Sequence, residues 1–194
     1  AMNKPILSVV PLLLLAAAGW VQAQESPASA TRAGTMKVVQ GQAQVTDARG
    51  SRALQPGDAV ASADSISTGA NSAASVVLRD GTTMVLGANS HVDLKNFTYD
   101  STTQEGNLLV SVLRGSMRML TGLIGKTRPD SIKVTTPTST IGILGTDFIV
   151  EVTEGKGGEY LQVKLHGEKQ NIRLKDYQFS AEFISKPIQQ KLDF

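Results

Sequence analysis

Ala73-Ala74-Ser75-Val76-Val77-Leu78-Arg79-Asp80-Gly81-Thr82-Thr83-Met84-Val85-Leu86-Gly87-Ala88-Asn89-Ser90 is the stretch that decides the fold. Ala74, Val76 and Leu78 alternate with Ser75 and Val77, a period of two that puts one face in a core and the other toward water. Arg79-Asp80-Gly81 then supplies a turn. The stretch ends on Gly87-Ala88-Asn89-Ser90, which repeats Gly69-Ala70-Asn71-Ser72 eighteen residues earlier. Asn and Gly tolerate left-handed backbone angles and Ser can bond back to the chain, so the echo reads as a repeated turn feeding a strand.

The same grammar extends outward in both directions. Val92 and Leu94 flank Asp93, Met117 and Met119 flank Arg118, and Ile132 and Val134 flank Lys133. Phe148, Val150 and Val152 alternate with Ile149 and Glu151; Leu161, Val163 and Leu165 alternate with Gln162 and Lys164; Ile172 and Leu174 flank Arg173. Turns at Arg49-Gly50-Ser51, Pro56-Gly57-Asp58, Arg114-Gly115-Ser116 and Lys156-Gly157-Gly158 separate the runs. Only 120–127 has room for one short turn of helix, and its glycines argue against more. The expectation is an all-β single domain of stacked hairpins, arranged as a β-sandwich or roll or as a short β-solenoid.

The N-terminus has a different character. Met2-Asn3-Lys4 carries one positive charge, Ile6 to Ala18 is apolar apart from Ser8, and Val21-Gln22-Ala23 places small residues at a cleavage site. That order predicts a signal peptide over 1–23, cut near Ala23. The apolar run is shorter than the roughly 20 residues of a spanning helix. No other run approaches that length, so no integral membrane segment is expected after cleavage. Residues 24–35 are small and polar and read as a flexible leader. The β domain is expected over 36–175, followed by a C-terminal strand or tail over 176–194.

With no cysteine, the chain has neither disulfides nor thiolate metal sites. Nineteen basic residues against seventeen acidic ones give no net electrostatic case for nucleic acid. His91 and His166 are the only histidines, and no further ligands stand at zinc spacing. Gly142, Gly145 and Thr146 lack the Lys and the helix of a phosphate loop, since Asp147-Phe148-Ile149-Val150 continues as a strand. No serine lies in a nucleophile elbow and no Asp-rich calcium loop occurs. The sequence therefore predicts no catalytic residue, no metal and no cofactor.

Two features suit contact with partners. Asp176-Tyr177-Gln178-Phe179-Ser180-Ala181-Glu182-Phe183-Ile184 puts Tyr177, Phe179 and Phe183 on one face of a strand, either packed into the core or presented as an edge for β-augmentation. Arg114, Arg118, Lys126, Arg128 and Lys133 are clustered in sequence around Gly122-Leu123-Ile124-Gly125. They read as a solvated face or as a contact for an acidic glycan or a membrane-proximal partner.

Three segments together resemble a known family. Leu54-Gln55-Pro56-Gly57-Asp58 runs on to Thr68-Gly69; Leu78-Arg79-Asp80-Gly81-Thr82 follows; Thr136-Pro137-Thr138-Ser139-Thr140-Ile141-Gly142-Ile143-Leu144-Gly145-Thr146-Asp147-Phe148 closes the series. In this order they resemble the FecR domain, over roughly Met36 to Val152. The resemblance implies an all-β extracytoplasmic domain in which Gly57, Asp58, Thr68, Gly69, Asp80, Gly81, Pro137, Gly142, Gly145, Thr146 and Asp147 serve the framework. The best-known members relay the state of an outer-membrane receptor to a cytoplasmic sigma factor through a cytoplasmic N-terminal segment and a membrane span. Here a leader stands before the domain instead, as in exported proteins that carry the domain alone. The expectation is a non-catalytic protein-interaction or sensing module, periplasmic or secreted, in a Gram-negative envelope. Its partner would be an envelope or extracellular protein, with a structural or glycan- or peptidoglycan-binding role as the alternative.

Overall fold

The computed structural model describes residues 32–143, 147–154, 161–166, 172–175 and 182–184. The predicted signal peptide, residues 24–31 of the leader, and Gly145, Thr146, Tyr177 and Phe179 lie outside the described residues. Phe183 is described by its backbone alone.

The described chain is built from strands, as the alternation predicts. They are β1 (Arg32–Gln40), β2 (Ala43–Asp47), β3 (Gly50–Ala53), β4 (Ala59–Ala61), β5 (Ser65–Thr68), β6 (Ala73–Leu78), β7 (Thr83–Leu86) and β8 (His91–Tyr99). They continue as β9 (Gly106–Leu120), β10 (Ile132–Thr135), β11 (Thr140–Ile143), β12 (Asp147–Glu154), β13 (Leu161–His166), β14 (Ile172–Lys175) and β15 (Glu182–Ile184). One five-residue helix, α1 (Leu123–Thr127), and a 3-10 turn at Pro129–Ser131 interrupt them. The first strand begins at Arg32, ahead of the boundary expected at residue 36. Ala33 is buried there, although the small polar residues around it gave no alternation to read.

The longest strand, β9, organises the rest. Its first part, Gly106–Arg114, pairs antiparallel with β8 and parallel with β10. Its last part, Gly115–Leu120, pairs antiparallel with β7 and β12. Two sheets therefore share this strand. One runs β4-β1-β6-β7-β9-β12-β13-β15 and the other β3-β2-β5-β8-β9-β10-β11-β14. We call these sheet A and sheet B.

The inward residues of both sheets form one cluster. Val76, Met84, Met117, Met119, Phe148 and Val150 come from sheet A, and Val45, Ile66, Val92, Val110, Val134 and Ile141 from sheet B, all essentially inaccessible to water. Each fully buried side chain of this size contributes about 1.5–3 kcal/mol, so one shared core holds the two sheets together. Apart from β9 with β10 and β13 with β15, the pairings are antiparallel. The structure thus takes the roll or sandwich side of the expectation rather than a solenoid of parallel coils.

The repeated Gly-Ala-Asn-Ser turns are the corners where the chain changes sheet. The first leads from β5 in sheet B to β6 in sheet A, and the second from β7 in sheet A back to β8 in sheet B. Asn71 (φ 53°) and Asn89 (φ 51°) take the left-handed conformation that the sequence reading assigned to the turn. Two further crossings lie beside them: Gly41-Gln42 between β1 and β2, and Gly115-Ser116 inside β9. The four corners are stitched together. Ser72 Oγ accepts the Gln42 amide at 2.9 Å and donates to the Ala70 carbonyl at 3.0 Å. Ser90 Oγ accepts the Ser116 amide at 3.0 Å and donates to the Ala88 carbonyl at 3.3 Å. Thr68 bridges the two turns, donating to the Gly87 carbonyl at 2.6 Å and accepting the Ser90 amide at 3.0 Å. The sequence echo is therefore a repeated hydrogen-bonding unit in a seam of sheet crossings.

Candidate interaction faces

The described residues of the motif series fall at separate places along the chain. Gly57 (φ 94°) and Asp58 form the turn that docks on β1: the Gly57 amide donates to the Met36 carbonyl at 2.8 Å and the Met36 amide to the Asp58 carbonyl at 2.9 Å. Asp58 Oδ2 accepts the Gln55 amide at 2.8 Å and Arg52 at 3.1 Å. Thr68 and Gly69 belong to the corner seam.

Asp80 and Gly81 form the β6–β7 hairpin, and the Asp80 carboxylate is buried. It accepts the Thr82 amide at 3.0 Å and the Thr82 hydroxyl at 2.7 Å. Its backbone carbonyl accepts the Leu123 amide at 2.8 Å, and Thr82 Oγ1 accepts the Gly122 amide at 2.9 Å. This pair latches the loop after β9, and with it α1, onto the hairpin.

Pro137 lies exposed in the β10–β11 turn, closed by the Thr136 amide on the Ser139 carbonyl at 2.8 Å. Gly142 sits in β11 opposite Lys133. Asp147 opens β12 and receives a two-pronged bond from Arg118 at 3.0 and 2.6 Å. These residues do not converge on one chemical centre. The Gly57-Asp58, Thr68-Gly69 and Asp80-Gly81 pairs each bond at a connection between strands.

Among the described residues, no group of three or more His, Cys, Asp or Glu is placed to hold a metal ion. A shallow polar cleft at the β8–β9 turn is lined by residues that include Tyr99, Asp100, Asn107 and Arg128. The acidic side chains there are engaged: Asp100 accepts the Thr102 amide at 2.7 Å, and Glu105 pairs with Arg128 at 3.5 Å.

What remains are the outward faces of the two sheets, and they differ in chemistry. On sheet A the outward positions of β6, β7 and β9 include the half-buried Val77 and Val85 and the exposed Leu120. Val38 is half exposed at the β1 end of this sheet. Arg118 lies among them, held by Asp147. On sheet B the outward positions are mostly hydroxyls and charges, with Leu109 and the exposed Leu113 among them. Asp93 is buried there in mid-strand, with the Ser65 hydroxyl at 2.6 Å, Lys95 at 2.7 Å and His91 at 3.3 Å. Burial pushes its carboxyl up, but hydrogen bonds from Lys95 and Ser65 and the charges of Lys95 and His91 outweigh this and hold it below its ordinary value. Ser65 and His91 both bond the carboxylate rather than each other, so the trio lacks the relay of a nucleophile.

The basic residues grouped in sequence are dispersed. Arg118 belongs to sheet A, Arg128 pairs with Glu105, and Arg114 and Lys133 stand on sheet B. The change of sheet at Gly115-Ser116, invisible in a list of charges, separates Arg114 from Arg118. In the Asp93 cluster, His91, Asp93 and Lys95 share one face of β8 by strand spacing, and cross-strand register adds Ser65.

No curated protein and no solved structure matches this chain. No helix among the described residues is long and apolar enough to cross a membrane. A family model described as "FecR protein" matches residues 64–176, more than half of the 194 residues, and spans the second corner, the Asp80 hairpin, β9 and the closing motif. The chain is a member of the FecR family.

Proposed function

We propose that this protein is an exported, non-catalytic sensing module that binds an envelope or extracellular protein through the outward face of sheet A. One observation carries the reading: the exposed Leu120 and Val38 and the half-buried Val77 and Val85 share that face with the Arg118–Asp147 pair. Apolar side chains around a fixed arginine match the composition of protein interface centres. Membership of the FecR family supports a regulatory role, and the framework function of its motif residues leaves the sheet faces to do the recognising. The leader-like N-terminus supports export to the periplasm or beyond.

A photo-crosslinking residue at position 120 tests this in cells producing the protein from its own leader. It is expected to trap one discrete partner, while the same residue at the exposed position 130 traps none. No adduct at 120, or equal adducts at both positions, would sink the proposal.

A further inference from the structure

The register of sheet B aligns one row of small polar side chains across seven strands. Ser51 opposes Thr46, Thr46 opposes Ser65, Ser65 opposes Asp93, and Asp93 opposes Ser111. Ser111 opposes Thr135, and Thr135 opposes Thr140. Strands lie about 4.7–4.9 Å apart, so the row is a line of roughly 30 Å with one polar group per strand.

The row is recessed at its centre. Alternation puts Leu109 and Leu113 on either side of Ser111 on the outer face, and Ser111 is only 7% exposed. Its hydroxyl makes no hydrogen bond among the described residues, and neither does that of Thr140. The Ser111 oxygen is itself open to solvent although the rest of the residue is packed, so it faces outward from between the two leucines.

Charge supplies the second half of the argument. The row's one carboxylate, Asp93, is already paired with Lys95 at 2.7 Å. Arg114, opposite His91, and Lys133, one pair along from Thr135, are exposed and have no acidic partner among the described residues. Beside a recessed line of hydroxyls this leaves unspent positive charge. We infer that the outer face of sheet B binds a linear anionic polysaccharide laid across the strands. Its hydroxyls meet Ser111, Thr135 and Thr140, and its carboxylate or phosphate groups meet Lys133 and Arg114. A nucleic acid fits less well, because the described row offers no aromatic side chain on which a base would stack. A lipid surface fits less well, because the polar groups are recessed between leucines. This face lies on the other sheet from the proposed protein contact, so the two readings stand or fall separately.

Calorimetric titration of the folded protein with a mannuronate hexasaccharide tests the inference, with cellohexaose, single-stranded DNA and anionic vesicles as comparison ligands. The expected result is binding of the mannuronate alone, weakened by salt. Lys133→Glu with Arg114→Glu should weaken it about tenfold or more, as for the loss of charge-assisted hydrogen bonds. Ser111→Ala and Thr135→Val, which keep strand shape, should each weaken it by about threefold to tenfold. Lys37→Gln, on the other sheet, should leave it unchanged. Circular dichroism confirms that each variant is folded, and Lys133→Gln replaces the double charge reversal should that variant not fold. The inference is overturned by failure of the hexasaccharide to bind, by equal binding of any comparison ligand, or by insensitivity to both the charge and the hydroxyl substitutions.

Discussion

The amide of Ser116 donates to the hydroxyl of Ser90 at 3.0 Å, across 26 residues of sequence. This bond joins the crossing inside β9 to the crossing between β7 and β8. Gly115 beside it adopts φ 82°, and a Cβ there would meet the Ser90 backbone as well as its hydroxyl. Ser90→Ala should cost about 1–3 kcal/mol, because a backbone amide at the corner loses its acceptor. Gly115→Ala should cost more, since it adds a left-handed penalty of about 1–2 kcal/mol and a steric conflict. Urea denaturation of the two variants gives the order; an equal or smaller loss for Gly115→Ala would refute the packing argument.

The Asp80 latch makes a local prediction. Asp80→Ala removes the acceptor of the Thr82 amide and hydroxyl inside the protein. The expected loss is about 2–3 kcal/mol. Hydrogen exchange should speed up first in Leu123–Thr127, whose entry amide rests on the same hairpin. Uniform acceleration over both sheets would show that the hairpin and the helix are not coupled in this way.

Two carboxylates make stability depend on pH in opposite directions. Burial raises Asp64, and the Ala61 amide at 2.8 Å only partly offsets this. The folded state holds that proton more tightly than the unfolded chain. The stability so gained is present below the ordinary Asp value of about 3.9 and is lost as pH rises through the raised folded value. Asp64→Asn never ionises, so it should gain on the wild type between about pH 3 and pH 7. Asp93, held below its ordinary value, contributes stability above about 3.9 that is lost as pH falls through its folded value. Lys95→Gln should shrink that contribution and shift acid unfolding to higher pH. Urea melts of the three proteins at the two pH values test both signs.

Arg118 grips Asp147 with two nitrogens, at 3.0 and 2.6 Å, and both side chains are about three-quarters buried. A lysine carries the charge but not the fork. Arg118→Lys should therefore lose nearly as much stability as Arg118→Ala, about 1 kcal/mol in each case. A lysine variant as stable as the wild type would reduce the pair to a charge interaction.

The proposed export makes a chemical prediction. The mature protein recovered from cells should begin at Gln24, and Ala23→Lys should leave the precursor uncut. N-terminal sequencing decides it.

Alternation along Ala74-Ser75-Val76-Val77-Leu78 was enough to identify strands and their buried faces, because a period of two reports burial directly. The Gly-Ala-Asn-Ser echo revealed turns, because left-handed Asn and back-bonding Ser are local properties. That these turns change sheet was hidden, since it depends on which distant amides, those of Gln42 and Ser116, the two serines meet. The row through Asp93 and Ser111 was equally hidden. Its members come from seven strands, and only register aligns them. The start of β1 escaped because a bulge between Arg32 and Gly34 blurs its periodicity.

Strand β9 has a consequence for how the chain reaches its final form. In both sheets every strand before it lies on one flank and every strand after it on the other. A chain that emerges from its N-terminus can therefore close β1 to β9 into a bounded half before the remainder is in place. The second half then grows outward from both edges of a strand already in place. Chain order and spatial order coincide, which spares the first half a search through the unfinished second.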